Sequence, residues 1–236
     1  MLSIITPNLN NAKYLEGNIL SILSLTIPFE HIIVDGGSND GSLELISKYS
    51  HIKLLNQKEK SGMYGAIDQG FNYASGEFIT WVNADDRIIS TGYEAMYKEI
   101  SKGTCDFIYS DGIYHYIKEN YEKLVKGVRF GKFFLKNGLM PTMQPSSIYT
   151  KKIYDKIGGL NFEKFKLAGD LDLFLRIALL ENSVFKYIKS SSIIFMKRGD
   201  SLSDLNNDVY KKELKDNRLP IPNLLVRIIF YIYKHI

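Results

Sequence analysis

Glu77–Asp86 reads EFITWVNADD, a short apolar run that ends in carboxylates. Phe78, Ile79, Trp81 and Val82 have the pattern of a strand buried on both faces of a parallel sheet. The run stops at Asn83-Ala84-Asp85-Asp86. Open α/β sheets bind their ligands in the crevice at the carboxyl ends of the strands. Two adjacent acids there repel each other, which calls for a cation beside them. Hard oxygen ligands of this kind suit Mg²⁺ or Mn²⁺, above all when phosphate completes the shell. The competing reading is a solvated turn or a helix N-cap, both of which favour Asp.

Outward from this stretch the chain alternates. Leu2–Thr6, His31–Val34 and Ile52–Leu55 read as strands, and helical spacing is expected over 12–24, to about Tyr49, and over 62–74. This rhythm predicts a mostly parallel sheet with helices on both faces. After Asp86 the pattern loosens. Strands are expected at 106–110, 113–117, 121–128, 146–150, 184–188 and 192–197, with helices at 93–101, 130–137, 151–157 and 168–180. Asp35 follows the second strand in DGGSNDG, on the same sheet edge as Asp85, where a carboxylate can accept from a base or a ribose hydroxyl. A structural glycine turn with Asp40 capping the next helix is the plainer alternative.

The 236 residues are 45% hydrophobic and 24% charged, enough for one large domain with its own core. One cysteine, Cys105, excludes an internal disulfide and suits a reducing compartment. No signal peptide and no bilayer-spanning run are expected. The net charge of +4 belongs to one segment: Lys211, Lys212, Lys215, Arg218, Arg227 and Lys234 against Glu213 and Asp216 carry the whole surplus. A nucleic-acid binder shows a basic face over its body, so no nucleic-acid partner is expected. No P-loop motif is present, and the first strand lacks a following G-x-G-x-x-G. The four His residues lack metal-ligand spacing.

Four pieces in order carry a resemblance: SIITPNLNN (3–11), HIIVDGGSNDGSLELI (31–46), GMYGAIDQGFNYASGEFITWVNADD (62–86) and GLNFEKFKLAGDLDLFLR (159–176). The chain resembles the inverting family-2 glycosyltransferases of the GT-A fold, closest to bacterial enzymes of surface-polysaccharide assembly. The resemblance implies an α/β, Rossmann-like sheet with a smaller mixed acceptor-side region. It implies a single domain over 1–203, with a donor half at 1–111 and an acceptor and base half at 112–203, and then a basic, apolar tail at 204–236. Thr6, Pro7 and Asn8 would line the nucleobase pocket and Asp35 would bind the base, commonly uracil. Asp85 and Asp86 would hold the ribose and a bridging Mg²⁺ or Mn²⁺, and Asp170 would be the catalytic base. A helix dipole would keep Asp170 ionised. The implied activity is transfer of a hexosyl or N-acetylhexosaminyl unit from a nucleotide-sugar, commonly a UDP-sugar, to a glycan or lipid-linked acceptor, with inversion.

The sequence departs from the family pattern in three places. Asn83 stands where an Asp is common, Gly169 where a Glu precedes the base, and KRGDSLS (197–203) lacks a metal-binding His. Asp200 could substitute, or Lys197 and Arg198 could carry part of the diphosphate charge. Asp172 is a second candidate base. The departures feed an alternative: a catalytically silent domain of the same fold that binds nucleotide or glycan. A sugar-nucleotide pyrophosphorylase would show a glycine-rich basic loop near the N-terminus, which is absent. The tail 223–236 suits a membrane interface, at the inner face of the cell membrane for a cytoplasmic enzyme. Its alternative is packing on its own domain or on a second copy.

Overall fold

Adjacent residues of the first strands point to opposite faces, and both faces are apolar. Ile5, Ile32, Val34, Ile79 and Trp81 enter one buried cluster, while Leu2, Ile4, Phe78 and Val82 enter another. A strand of this kind must be covered on both sides. The structure, a computed structural model, describes residues 1–58, 61–199 and 207–235.

Four parallel strands form its first half: β1 (Leu2–Asn8), β2 (Phe29–Asp35), β3 (Ile52–Asn56) and β4 (Phe78–Trp81). Helices α1 (Ala12–Leu23), α2 (Ser42–Ile46) and α3 (Gly62–Tyr73) connect them. Asn8, Asp35 and Asn56 lie in register, so the three strands end together at one edge.

The second half is mixed. It runs β5 (Arg87–Ile88), α4 (Ser90–Ile100), β6 (Phe107–Tyr116), β7 (Tyr121–Val125), α5 (Gly131–Lys136), β8 (Ser147–Thr150), α6 (Lys151–Lys156), α7 (Gly169–Leu179) and β9 (Phe185–Lys197). Two helices, α8 (Asn207–Asp216) and α9 (Leu224–His235), follow. Among the described residues the strand order is β3-β2-β1-β4-β8-β6-β9-β5, with β7 paired to β6. β8 enters antiparallel between β4 and β6, and β9 runs parallel to β6.

Phe71, Trp81, Phe107, Tyr149 and Phe174 fill the larger core, and Phe107 meets the Phe174 ring edge at 4.7 Å. Burying each such ring contributes about 2–3 kcal/mol before entropy is counted. Two expected strand pairs prove continuous. β6 covers both 106–110 and 113–117, and β9 covers both late strands. Register shifts at Ser110/Asp111 and Asp111/Ile113 absorb the irregularity that broke the pattern. The helix α8 has a mean hydropathy too low to betray it by apolar spacing.

At the N-terminal edge the parallel strands close on Glu30. Its carboxylate accepts from Ser3 Oγ (2.5 Å), Ser75 N (2.7 Å), Ser75 Oγ (2.9 Å) and Lys53 Nζ (2.6 Å). Burial alone would raise this carboxyl, but Lys53, Ser3 and Ser75 outweigh it and pull it down to about 2.

Candidate active site

The site is assembled at the opposite edge, from the residues that end the parallel strands. β1 delivers Asn8 beside Asp35 of β2, and Asn8 Nδ2 donates to Asp35 Oδ2 at 2.7 Å. The DGGS turn then wraps the carboxylate. Gly37 N and Ser38 N donate to Oδ1 at 2.9 and 2.8 Å, and Ser38 Oγ donates to Oδ2 at 2.7 Å. Gly37 has φ +97°, a left-handed conformation that favours glycine. Burial opposes the charge on Asp35, yet the Ser38, Asn8 and Gly37 donors hold its carboxyl below the usual range. Asp35 therefore reaches any ligand with its acceptor positions already filled by the turn. The acceptor left buried without a partner is Asn8 Oδ1.

The Asn83–Asp86 turn sends its two acids in opposite directions. Asn18 of α1 donates through Nδ2 to the carbonyls of Asn83 and Asp86, both at 3.0 Å, and so fixes the turn. Asp86 points inward, is 1% exposed, and accepts from Met196 N at 3.0 Å. Burial, and then the neighbouring Asp85 charge, push its carboxyl well up. Asp85 is part-exposed and takes Arg198 Nη1 at 3.3 Å. Arg198 also donates to Asn11 Oδ1 at 3.2 Å and lies 4.8 Å over the Tyr14 ring.

Two more oxygens are orphaned here, Asn83 Oδ1 and Asp86 Oδ2. With Asn8 Oδ1 they are the only buried amide or carboxylate oxygens among the described residues that lack a partner. Such acceptors at a strand end fit a divalent cation. No group of three or more His, Cys, Asp or Glu that could hold one is present among the described residues.

Asp170 joins the same edge through Tyr64, which sits in the first turn of α3 just past the end of β3. Tyr64 OH accepts from Asp170 N at 3.3 Å, and its one proton is shared between Leu167 O (3.0 Å) and Asp170 Oδ1 (3.5 Å). Asp170 Oδ1 accepts from Leu171 N at 2.8 Å. Burial pushes the Asp170 carboxyl up to about 6, against the opposing Leu171 N–H and Tyr64 hydroxyl. At about 6 the carboxyl is still mainly ionised near neutral pH, so it can accept a proton there. Gly169 explains itself here: a Cβ at that position would lie 2.7 Å from the Tyr64 ring. The tyrosine occupies the space that a longer residue before Asp170 would need.

Several expected site residues behave otherwise. Thr6 is fully buried, with Oγ1 shared between Asn18 Oδ1 (3.3 Å) and His31 Nε2 (3.0 Å), so its side chain faces the core and not a base. Pro7 is part-exposed at the edge. Asp172 is 7% exposed and bound by Asn161 Nδ2 and Arg176 Nε, both at 2.9 Å, which makes it a staple of the preceding loop and not a base. Lys197 lies 5.1 Å over the Tyr114 ring, beside β6. Asp200 lies outside the described residues. Asn18, Ser38 and Tyr64 were not singled out from sequence, because Asn, Ser and Tyr at such positions carry no motif of their own. Neither was Glu213 of α8, which accepts from the N–H groups of Lys166 (2.8 Å), Leu167 (3.1 Å) and Ala168 (2.9 Å) and so props the loop that delivers Asp170. Helix α8, within the segment read as a basic, apolar tail, thus packs on the domain.

A mostly parallel sheet with helices on both faces and acids at its carboxyl edge is the architecture of the GT-A glycosyltransferases. The chain belongs to glycosyl transferase family 2, whose model matches residues 3–164. It is 26% identical over 254 aligned positions to the glycosyltransferase GlyA of Streptococcus pneumoniae, covering 100% of this chain and 36% of GlyA. The chain therefore spans about a third of that relative's length. Among solved structures it is similar to TarS of S. aureus in complex with UDP, with a TM-score of 0.64 at 19% identity over 84% of this chain and 61% of that one. It is also similar to the mannosyltransferase PcManGT of Pyrobaculum calidifontis in complex with GDP-Man and Mn²⁺, with a TM-score of 0.65 at 14% identity over 98% of this chain and 68% of that one.

Proposed function

We propose that the chain transfers a hexosyl or N-acetylhexosaminyl unit from a UDP-sugar to a glycan or lipid-linked acceptor in surface-polysaccharide assembly. The observation that carries the reading is Asp170: a carboxyl raised to about 6, on a loop tied through the Tyr64 hydroxyl to the first turn of α3. A base poised just below neutral pH takes a proton effectively without being permanently protonated.

In this reading Asp170 accepts the proton of the acceptor hydroxyl as that oxygen bonds to the anomeric carbon. The bond from that carbon to the diphosphate oxygen breaks, and the electron pair leaves with the nucleoside diphosphate. One base without an enzyme nucleophile gives a single displacement and inversion. Asn8 and the Asp35-organised turn receive the base and ribose. Asp85 and the amide oxygen of Asn83 would hold Mg²⁺ or Mn²⁺, which supplies positive charge to the leaving diphosphate when bound. Asp86 supports them from inside. Arg198, beside Asp85, adds positive charge to the same place. The neighbours solved with UDP and with Mn²⁺ support a nucleotide donor and a divalent ion. Residues 1–111 serve the donor, and 112–203 with the Glu213 prop serve the base and acceptor.

The test is release of nucleoside diphosphate by purified protein from a panel of UDP- and GDP-sugars, with and without Mn²⁺. Release from at least one donor, lost in Asp170→Asn, is expected. Tight nucleotide binding without release from any donor, with acceptor glycans added, would mark a silent binding domain instead.

A further inference from the structure

Helix α9 is apolar on both sides, yet the protein covers only one of them. Val226, Ile229 and Phe230 pack on Val128, Phe134 and Leu139. Each residue advances about 100° round a helix, which puts Leu224, Leu225, Ile228, Tyr231 and Ile232 on the far side. Those five are 74, 65, 49, 63 and 48% exposed. This uncovered apolar stripe, bordered by Arg227, Lys234 and His235, is the pattern of a helix at an apolar–polar boundary. α9 has 12 residues, and among the described residues no helix is long and apolar enough to cross a membrane. The outer side must therefore be met sideways.

Charge indicates by what. Residues 123–137 contain Lys123, Lys126, Arg129, Lys132 and Lys136 and no acid, and residues 217–235 contain Arg218, Arg227 and Lys234 and no acid. The two segments pack together through Phe134 with Phe230 (5.0 Å) and Phe130 with Tyr233 (5.5 Å). Glu122, next to Lys123, is engaged by His115 at 3.1 Å. Phe130 and Phe133, at 63 and 47% exposed, extend the apolar surface. Beside Phe130 opens a groove of about 570 Å³ lined by Arg129, Lys132, Lys186 and Lys189. Lys132 is engaged by the carbonyls of Leu180, Glu181 and Ser183, and Lys186 by Glu99, while Arg129 and Lys189 stand exposed.

We propose that this face lies flat on an anionic bilayer, with the outer side of α9 among the acyl chains and the surrounding cations on lipid phosphates. Interfacial helices pair an apolar face with flanking Lys and Arg in this way, and such cations are drawn to anionic lipid. A second copy fits poorly, because a two-fold interface would set the same cations against each other. The proposal uses none of the residues of the carboxylate edge and does not depend on the transferase reading.

The test is flotation of the whole chain with phosphatidylcholine vesicles and with vesicles rich in phosphatidylglycerol. Binding to the second at least about tenfold above the first is expected. Ile228→Glu, on the outer side, is expected to lose that binding about tenfold or more while circular dichroism and nucleotide affinity stay unchanged. A Lys123→Gln/Arg129→Gln pair should keep the fold and lose the preference for anionic lipid. Equal, weak flotation with both vesicles would overturn the proposal. So would unchanged binding by Ile228→Glu, or a dimer in light scattering that this substitution dissociates while vesicle binding is absent.

Discussion

The two edges of the parallel sheet differ in the acids they hold beyond strand β2. The strand's own Glu30, at its start, and Asp35, at its end, are both held low by surrounding donors. Glu30 is surrounded by donors, its carboxyl sits at about 2, and its neighbourhood is closed. At the other edge Asp170 is pushed up to about 6 and Asp86 well up, and three acceptor oxygens lack partners. In the proposed function the ligand site lies at the second edge, where polar groups are left wanting. On that reading one edge serves stability and the other stores unfavourable energy for function.

The sharpest way to break this contrast is Asp170→Asn. Transfer is expected to fall by roughly 10²-fold or more, with donor affinity near that of the wild type. Stability should move the other way. The folded carboxyl is raised from 3.8 to about 6, so its ionisation destabilises the fold as pH rises through that window. Asp170→Asn should therefore raise the unfolding free energy above that window by about 2 kcal/mol and leave it unchanged below it. A variant that is inactive and also less stable near neutral pH would contradict the description of Asp170.

Glu30→Gln is the mirror experiment. A carboxyl lowered from 4.5 to about 2 contributes stability that is present above the first value and lost as pH falls toward the second. The substitution should cost roughly 2 kcal/mol at pH 7, after allowance for screening at the half-exposed Lys53, and little near pH 2, with turnover intact. Loss of turnover in a folded Glu30→Gln variant would blur the division between the edges.

The smallest expected effect belongs to Tyr64→Phe. Removing the hydroxyl takes away one group that holds the Asp170 carboxyl down, so the rise of kcat/KM with pH should shift to a midpoint above about 6. Turnover near neutrality should drop only a few-fold. An unshifted profile would mean that Tyr64 merely packs against Gly169.

Much of this was legible in the chain. The alternation of strands and helices up to Asp86 needs only local patterning, and the apolar run through Trp81 and Val82 is buried on both faces as read. What escaped depends on distant partners. Nothing local says that Asp85 faces outward and Asp86 inward, because Asn18 and Met196, which fix the turn, lie far along the chain. Asp172 stands as a second candidate beside Asp170 in the sequence, and only the structure shows Arg176 and Asn161 claiming it. The long strands β6 and β9 were each broken in the reading because a bulge interrupts the period of two. The apolar and basic character of the tail is plain in the sequence, but its division into a prop for the Asp170 loop and a helix covered on one side depends on tertiary packing.

The most direct measurement is calorimetric titration of UDP into the protein with Mn²⁺ and with EDTA, repeated for Asp85→Ala and Asp86→Asn. UDP is expected to bind at least about tenfold more tightly with Mn²⁺, each ligand strengthening the other by the same factor. Asp85→Ala should abolish that coupling, and Asp86→Asn, which preserves the shape of a buried group whose Oδ1 is taken by Met196 N, should keep most of it. Equal UDP affinity in Mn²⁺ and EDTA, or coupling lost only in Asp86→Asn, would contradict the assignment of the outward-facing acid at this edge to the donor and its ion.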